Sequence, residues 1–229
     1  MRSYKQFCAL AKALDVIGDR WTLLIVRELL IRASCRYTDL RTGLPGIPTN
    51  LLVDRLRELE HAGLIVREEA PPPIATALFR LTGRGRDLEP ALQALGHWGA
   101  PLLGKATGKD AFRTHWLKLP LEHHLCDKMP GRPPITIELR AGDEPMTLET
   151  VEGRVQARPG AARAPDAVLI GSPQLVLAVL TAKLSLNDAK AAGLRYEGDP
   201  AILLRVQVVS ASQATNRRRP ATQTVRSTR

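Results

Sequence analysis

The sequence predicts an α+β protein in two parts. The N-terminal half is mostly helical and closes with a strand–loop–strand. A smaller region of strands and covering helices follows. Three patterns carry this reading. Residues 37–67 (YTDLRTGLPGIPTNLLVDRLRELEHAGLIVR) hold two helix patterns joined by a Gly/Pro turn, then a β-branched run. Two strand-like runs, 64–67 and 78–82, flank Pro71-Pro72-Pro73. Beyond residue 110, strand-like runs alternate with short apolar helix patterns.

Taken in order, residues 7–17 predict a first helix with Leu10, Leu14 and Ile17 facing inward. Residues 21–31, dense in Leu, Ile and Val, predict a second that forms the core, with Asp19 as its cap. Arg20 and Trp21 read as packing residues. A short helix then carries Leu40 and Leu44 on its apolar side. Pro45 disfavours helix at Leu44, and Pro48 removes a further amide donor. Thr49 and Asn50 are expected to cap the next helix. In that helix Leu52, Leu56 and Leu59 fall at three- and four-residue spacing, one buried stripe, while Asn50, Asp54, Arg55 and Arg57 largely lie off it. Gly63 ends it, free to take the left-handed conformation.

Two helices around a tight turn, the second with a polar and partly basic outer face, make a helix-turn-helix that places a helix in the major groove. The strands on either side of residues 68–77 make a wing, because the proline triplet can neither be helix nor pair fully in a sheet. Arg67, Arg80 and Arg84 supply positive charge there. Residues 88–103 predict a last helix with Leu88, Leu92, Leu95, Trp98 and Leu102 on one stripe, which serves equally as core or as a dimer seam.

Residues 8–103 resemble the HxlR-type winged-helix transcription regulators, relatives of the MarR group. The matching segments are 8–25 (CALAKALDVIGDRWTLLI), 36–40 (RYTDL), 46–52 (GIPTNLL), 55–60 (RLRELE) and Phe79-Arg80-Leu81-Thr82 before Gly85. The resemblance implies a homodimer that binds double-stranded operator DNA, with the last helix in the dimer seam and the first helix helping. On the helix-turn-helix reading, Thr49, Asn50, Asp54 and Arg55 are the candidates for base and phosphate contacts, Thr38 and Arg41 for backbone contacts, and Arg67 and Arg80 for the wing. Many members carry a Cys near the N-terminus, where Cys8 stands here, and in some it senses oxidants or electrophiles. A sensor thiol needs exposure and nearby positive charge, which Lys5 and Lys12 supply on a helical reading. The alternative is a small buried apolar residue. Cys35, beside Arg36, is the second choice.

Residues 106–110 read as a linker. After them come a mixed helical segment at 115–128 and a strand at 135–139. A β-rich stretch at 146–156 turns near Gly153, and another strand runs over 167–170. An apolar helix starts at Ser172-Pro173. A short helix at 187–192, a strand at 194–199 and a final helix at 200–204 complete the region. Residues 166–173 (DAVLIGSP), 183–189 (KLSLNDA) and 193–200 (GLRYEGDP) are similar to the sterol carrier protein type of lipid-binding domain, across roughly residues 120–205. That resemblance implies an α+β fold around an apolar tunnel. Leu175, Leu177, Val179, Leu180 and Leu184 would line it for a small hydrophobic effector. Ala182 stands where that family usually has a Gly. A closed core serving dimerisation or stability is the competing reading.

The chain of 229 residues has room for two modest domains, expected at 1–105 and 110–209, with a disordered basic tail at 210–229. The net charge is +10, and the tail, with five arginines and no acid, carries half of it. The winged half is only mildly basic, so specific DNA binding relies on where arginines stand rather than on bulk charge. The tail either adds nonspecific DNA attraction, released by salt, or has no role. Three scattered Cys argue for a reducing compartment. No apolar run is long enough to span a membrane, and acidic residues interrupt any signal-like N-terminus, so a cytoplasmic location is expected. No nucleotide loop, nucleophile elbow or zincin motif appears, so neither enzyme nor cofactor is expected. His123, His124, Cys126 and Asp127 look like metal ligands. Adjacent His residues on a helix diverge by about 100°, however, so no metal site is expected. The function expected is a homodimeric operator-binding regulator, modulated by an apolar ligand or by Cys8 oxidation. The alternative is a lipid-binding protein whose winged domain serves dimerisation.

Overall fold

The computed structural model describes residues 3–69, 76–105 and 110–208. The proline triplet, most of the linker and the basic tail read from the sequence lie outside the described residues. The chain divides into two compact units, Met1–Pro120 and Leu121–Arg229.

The first unit begins with α1 (Ala9–Ile17), α2 (Thr22–Arg32) and a two-residue strand β1 (Cys35–Arg36). It continues through α3 (Tyr37–Gly43) and α4 (Thr49–His61) into the hairpin β2 (Ile65–Glu69) and β3 (Ala77–Leu81). A helical turn α5 (Gly83–Arg86), α6 (Glu89–Gly99) and a 3-10 segment (Ala100–Lys105) follow, and a second 3-10 turn covers Thr114–Leu117. The hairpin pairs Ile65 with Leu81 and Glu69 with Ala77, and β1 adds itself to β3 through Cys35 opposite Phe79. The sheet order is β1-β3-β2.

The core forms where the leucine stripe of α4 meets α2 and the hairpin. Ile25, Leu29, Leu40, Leu44, Leu52, Leu56, Leu59, Ile65 and Phe79 belong to one buried cluster. Gly63 ends α4 at φ +67, and the Leu64 amide returns to the Leu59 carbonyl (2.9 Å), the closed helix end that glycine permits.

Several local expectations are corrected. Leu10 and Leu14 do not face in: they are 68% and 40% exposed, and only Ala11 of α1 is buried. None of the described residues covers that side of α1. The outer half of the α6 stripe is likewise uncovered, with Leu95 50% and Trp98 75% exposed, while Leu88 and Leu92 pack on the core. Thr49 and Asn50 do not cap α4. They are its first helical residues, and Pro48 holds the cap position without a side-chain bond. Proline suits that place because the amide it lacks is unpaired at a helix start anyway. Asp19 does not cap α2 through its side chain, which turns instead to Arg55 (2.5 Å). Arg84 leaves the wing and donates to the Ala62 carbonyl at the end of α4 (3.2 Å).

The expected linker does not end the first unit. Beyond it, His115 and Trp116 donate back to the buried Glu28 of α2, each at 2.8 Å. The chain therefore stays with the winged unit until Pro120.

The second unit contains β4 (Leu125–Asp127), which follows α7 (Lys118–His124). Next come β5 (Thr136–Arg140), β6 (Met146–Val151), β7 (Arg154–Pro159) and β8 (Ala167–Ile170). Helices α8 (Pro173–Leu180) and α9 (Leu186–Ala191) precede β9 (Arg195–Gly198), α10 (Ala201–Arg205) and β10 (Val206–Val208). The strands form one sheet in the order β10-β4-β7-β6-β5-β8-β9, in which only the β5–β8 pair is parallel. Along β7, buried Val155 and Ala157 alternate with exposed Arg154, Gln156 and Arg158, as the two-residue repeat of a strand requires. Ser172 caps α8 by accepting from the Leu175 amide. Val176 and Leu180, one turn apart, are its buried face.

Ala182 closes α8 at φ +55, a conformation that favours glycine. Its neighbour Lys183 donates to the Ala178 carbonyl at 2.8 Å. Ala182→Gly is therefore expected to stabilise the second unit by about 1 kcal/mol, read as a raised urea midpoint in far-UV circular dichroism. An unchanged or lowered midpoint would refute this.

Candidate nucleic-acid interface

Helix α3 starts with the Arg36 amide bonded to Asp39 Oδ2 (2.8 Å), which satisfies one of the amides left open at a helix start. Tyr37 Oη donates to the Thr49 carbonyl (3.2 Å) and ties the beginning of α3 to the beginning of α4. The two helices are thus fixed by a shared apolar floor and a polar strut. Trp21 is half-buried against the same core, as its packing role predicts.

The stripe of Leu52, Leu56 and Leu59 points α4 inward, so the opposite face is open. Thr49, Asn50, Asp54, Arg57, Glu60 and His61 are exposed on it. Arg57 stands 3.9 Å from Asp54, and both are well exposed, so the pair restrains neither strongly. Thr38 and Arg41 are exposed on α3. Both helices therefore present exposed polar side chains.

Arg55 behaves differently. Its side chain is 16% exposed and bridges Asp19, between α1 and α2, to Glu58 on its own helix. Within the chain it is a strut, not an outward group. The sequence missed this because Asp19 lies 36 residues away. Arg57, one turn-face over, occupies the outward position that the sequence expectation gave to Arg55.

The two wing arginines also separate. Arg67 lies opposite Phe79 and Arg80 opposite Val66 in the hairpin. Residues two apart share a face and adjacent ones do not, so Arg67 and Arg80 project from opposite faces. Arg67 turns toward α4, and with Arg57 it lines a cleft of about 270 Å³ floored by Val53, Leu56, Ala77 and Phe79. Arg80 stays on the other face beside Glu68 (3.3 Å), while Arg67 meets Glu69 (2.9 Å). Arg57 and Arg67 thus line one cleft between helix and wing, two cations from two elements beside the carboxylate of Glu60.

Cys8 is exposed immediately before α1, with no disulfide partner. Lys5 is not on its helix, since its φ is +54, and Lys12 is drawn 3.7 Å from Asp15. Cys35 is buried, and burial pushes its thiol up to about 12, which removes it from thiolate chemistry near neutral pH. In the second unit Leu180 is buried, and Leu175, Leu177, Val179 and Leu184 are half-buried on and after α8. Asp127 serves Arg205 through two hydrogen bonds, at 2.9 and 2.8 Å. Among the described residues no three His, Cys, Asp or Glu side chains group to hold a metal ion, and no helix is long and apolar enough to cross a membrane.

Residues 16–106 match the model of the HxlR-like helix-turn-helix family. The helix-turn-helix-type transcriptional regulator YvaP of Bacillus subtilis is 34% identical over 87 residues, covering 38% of this chain and 80% of that protein. The helix-turn-helix-type transcriptional regulator Rv3095 of Mycobacterium tuberculosis is 36% identical over 118 residues, covering 52% of this chain and 68% of its own length. Among solved structures, a protein from Enterococcus faecalis V583 assigned to the MarR family of transcriptional regulators is 32% identical. That match covers 46% of this chain and 96% of its own, with a TM-score of 0.38.

Proposed function

The chain belongs to the HxlR-like helix-turn-helix family, and on that premise we propose that it is a transcription regulator that binds operator DNA as a homodimer. One observation carries the DNA reading: Thr49, Asn50, Asp54 and Arg57 share the open face of α4, and Arg57 and Arg67 both line the cleft beside it. Helix α4 enters the major groove, and the cleft receives a phosphate run at its edge. Thr38 and Arg41 reach the neighbouring backbone. The exposed large apolar side chains of Leu10 on α1, Leu95 and Trp98 on α6, and Leu102 in the 3-10 segment after it support the dimer, because such rows of exposed apolar side chains mark contact surfaces.

The second unit is the effector module in this reading. Its half-buried Leu175, Leu177, Val179 and Leu184 support an apolar ligand of the sterol-carrier type. Cys8, exposed beside the uncovered face of α1, is the residue at which an oxidant would act on the dimer.

The test is a fluorescence-anisotropy titration against the duplex upstream of the chain's own gene and a scrambled duplex, at two salt concentrations. Preference for the native duplex that survives the higher salt, saturating at two chains per duplex, is the expected result. An oxidant arm should alter the wild-type affinity and leave a Cys8→Ser variant unchanged. Equal, salt-sensitive binding to both duplexes, with copurified lipid, would overturn the regulator in favour of a lipid-binding protein.

A further inference from the structure

The least expected cluster in the first unit surrounds Glu28. Its side chain is fully buried. Oε1 accepts from Trp116 Nε1 (2.8 Å) and from the Arg27 guanidinium (2.7 Å), and Oε2 lies 2.8 Å from His115 Nε2. His115 Nδ1 faces the Arg32 guanidinium at 3.3 Å. Arg32 can only donate, so Nδ1 accepts and Nε2 carries the proton given to Glu28. Arg27 also lies over the Trp116 ring, 4.4 Å from its centroid. Burial alone would raise the Glu28 carboxyl, but the bond from His115 and the charge of Arg27 outweigh it and hold the group ionised below the usual carboxylate range.

The position of this carboxylate connects the cluster to α3. A Cβ on Gly43, the last residue of α3, would stand 2.2 Å from Glu28 Oε2. The carboxylate therefore lies directly against the backbone where α3 ends and the turn to α4 begins. Cys35, at the entry to α3, places its Sγ 4.0 Å from the Glu28 carbonyl. Glu28 touches both ends of the segment that sets α3, and two of its four side-chain partners, those other than Arg27 and Arg32, come from residues about 87 positions later. A buried carboxylate that loses two donors must find water or turn away, and the backbone packed on it has to follow.

We propose that Thr114–Leu117 is a strap that positions the helix-turn-helix through Glu28. The segment that leads into the second unit thus sets DNA affinity without touching DNA. His115 and Trp116 are positioning residues in this scheme, and the strap is the physical element through which a change in the C-terminal half of the chain reaches α3 and α4. The affinity part of the claim rests on the DNA-binding reading above; the positioning part does not.

The experiment uses the full chain and three variants: His115→Leu, Trp116→Phe and His115→Gln. Hydrogen–deuterium exchange is followed by peptide, and anisotropy is measured against the native duplex at one salt concentration. His115→Leu and Trp116→Phe are expected to speed exchange selectively over residues 37–48 and to weaken duplex binding roughly three- to thirtyfold. His115→Gln is expected to keep both near wild type, because its amide donates to Glu28 and its carbonyl accepts from Arg32. Trp116→Phe removes one N–H while keeping an aromatic ring, so it stays informative if His115→Leu fails to fold. Unchanged exchange over 37–48 in Trp116→Phe overturns the strap, as does an increase spread evenly over the whole first unit. If the wild-type chain shows no preference for the native duplex, the DNA-binding reading fails by itself, and the exchange data still decide the strap.

Discussion

Replacing Asn50 and Arg57 together by Ala is expected to leave the chain folded and to weaken binding to a specific duplex by roughly a hundredfold, from about 1–3 kcal/mol lost at each position. Both residues stand on the open face of α4, and neither supports the leucine stripe on the other side. Among the described residues, the ion pair Arg57 makes is with exposed Asp54 at 3.9 Å, worth about 0–1 kcal/mol, so its removal costs the fold little. Arg55→Ala is the control that separates DNA contact from architecture. It cuts the bridge between Asp19 and Glu58 and should lower the melting temperature, because that bridge links α4 to the α1–α2 corner. The salt dependence tells the two apart. Arg57→Ala should reduce the slope of log affinity against log salt by about one, whereas Arg55→Ala should leave the slope unchanged. The opposite pattern would return the outward role to Arg55 and reject the interface drawn here.

Arg205→Ala is expected to destabilise the second unit by about 3–5 kcal/mol, since it leaves the Asp127 carboxylate buried without its partner. The two side chains are 8% and 3% exposed and joined by a two-point pair. They lie where α10 runs into β10 and where β4 ends, and the Lys128 amide donates to the Arg205 carbonyl at 2.9 Å beside them. The pair therefore clamps the edge of the sheet. Asp127→Leu with Arg205→Met should cost much less, because no charge is then buried alone. All three Trp residues, at 21, 98 and 116, belong to the first unit. The loss should thus appear in far-UV circular dichroism while Trp fluorescence unfolds at its wild-type midpoint. Equal losses in the single and double variants would show that packing, not the charge pair, holds this edge.

Acid adds a second reading of the same pair. The hydrogen bond from Arg205 depresses the Asp127 carboxyl, against the opposing effect of burial. A carboxyl with a depressed folded-state pKa adds stability above its unfolded value, about 3.9 for Asp, and loses it as pH falls through the folded value. Glu28 follows the same sign from an unfolded value of about 4.3. Both units should therefore hold constant stability from neutral pH down to about 4 through these groups and lose it below. Arg205→Ala should make that acid limb shallower for the second unit alone, leaving the part due to Glu138, whose carboxyl is lowered against burial by the Arg140 hydrogen bond.

The sequence by itself determined the local elements. The spacing of Leu52, Leu56 and Leu59 fixes which side of α4 is buried, so the outward place of Asn50 and Asp54 follows from a period of 3.6 residues within one helix. Gly63 marks the helix end, Ser172-Pro173 the start of α8, and residues 167–170 a strand, each from neighbours in the chain. Ala182, where the resemblance to the sterol carrier type led to an expected glycine, stands at φ +55, a conformation that favours glycine. Tertiary structure alone decided which charged groups point outward. Arg55 and Arg57 differ little in the sequence, and only the approach of Asp19 turns one inward. The two-residue β1 and the three-residue β10 are too short to leave a pattern and exist through their partners β3 and β4. His115 and Trp116 read as the beginning of a second domain, yet they close the first, because a buried carboxylate on α2 needed donors and found them far along the chain. Periodicity is a property of one element and is written locally. The partners of buried charge are set by which distant elements the core brings together, and no local pattern encodes them.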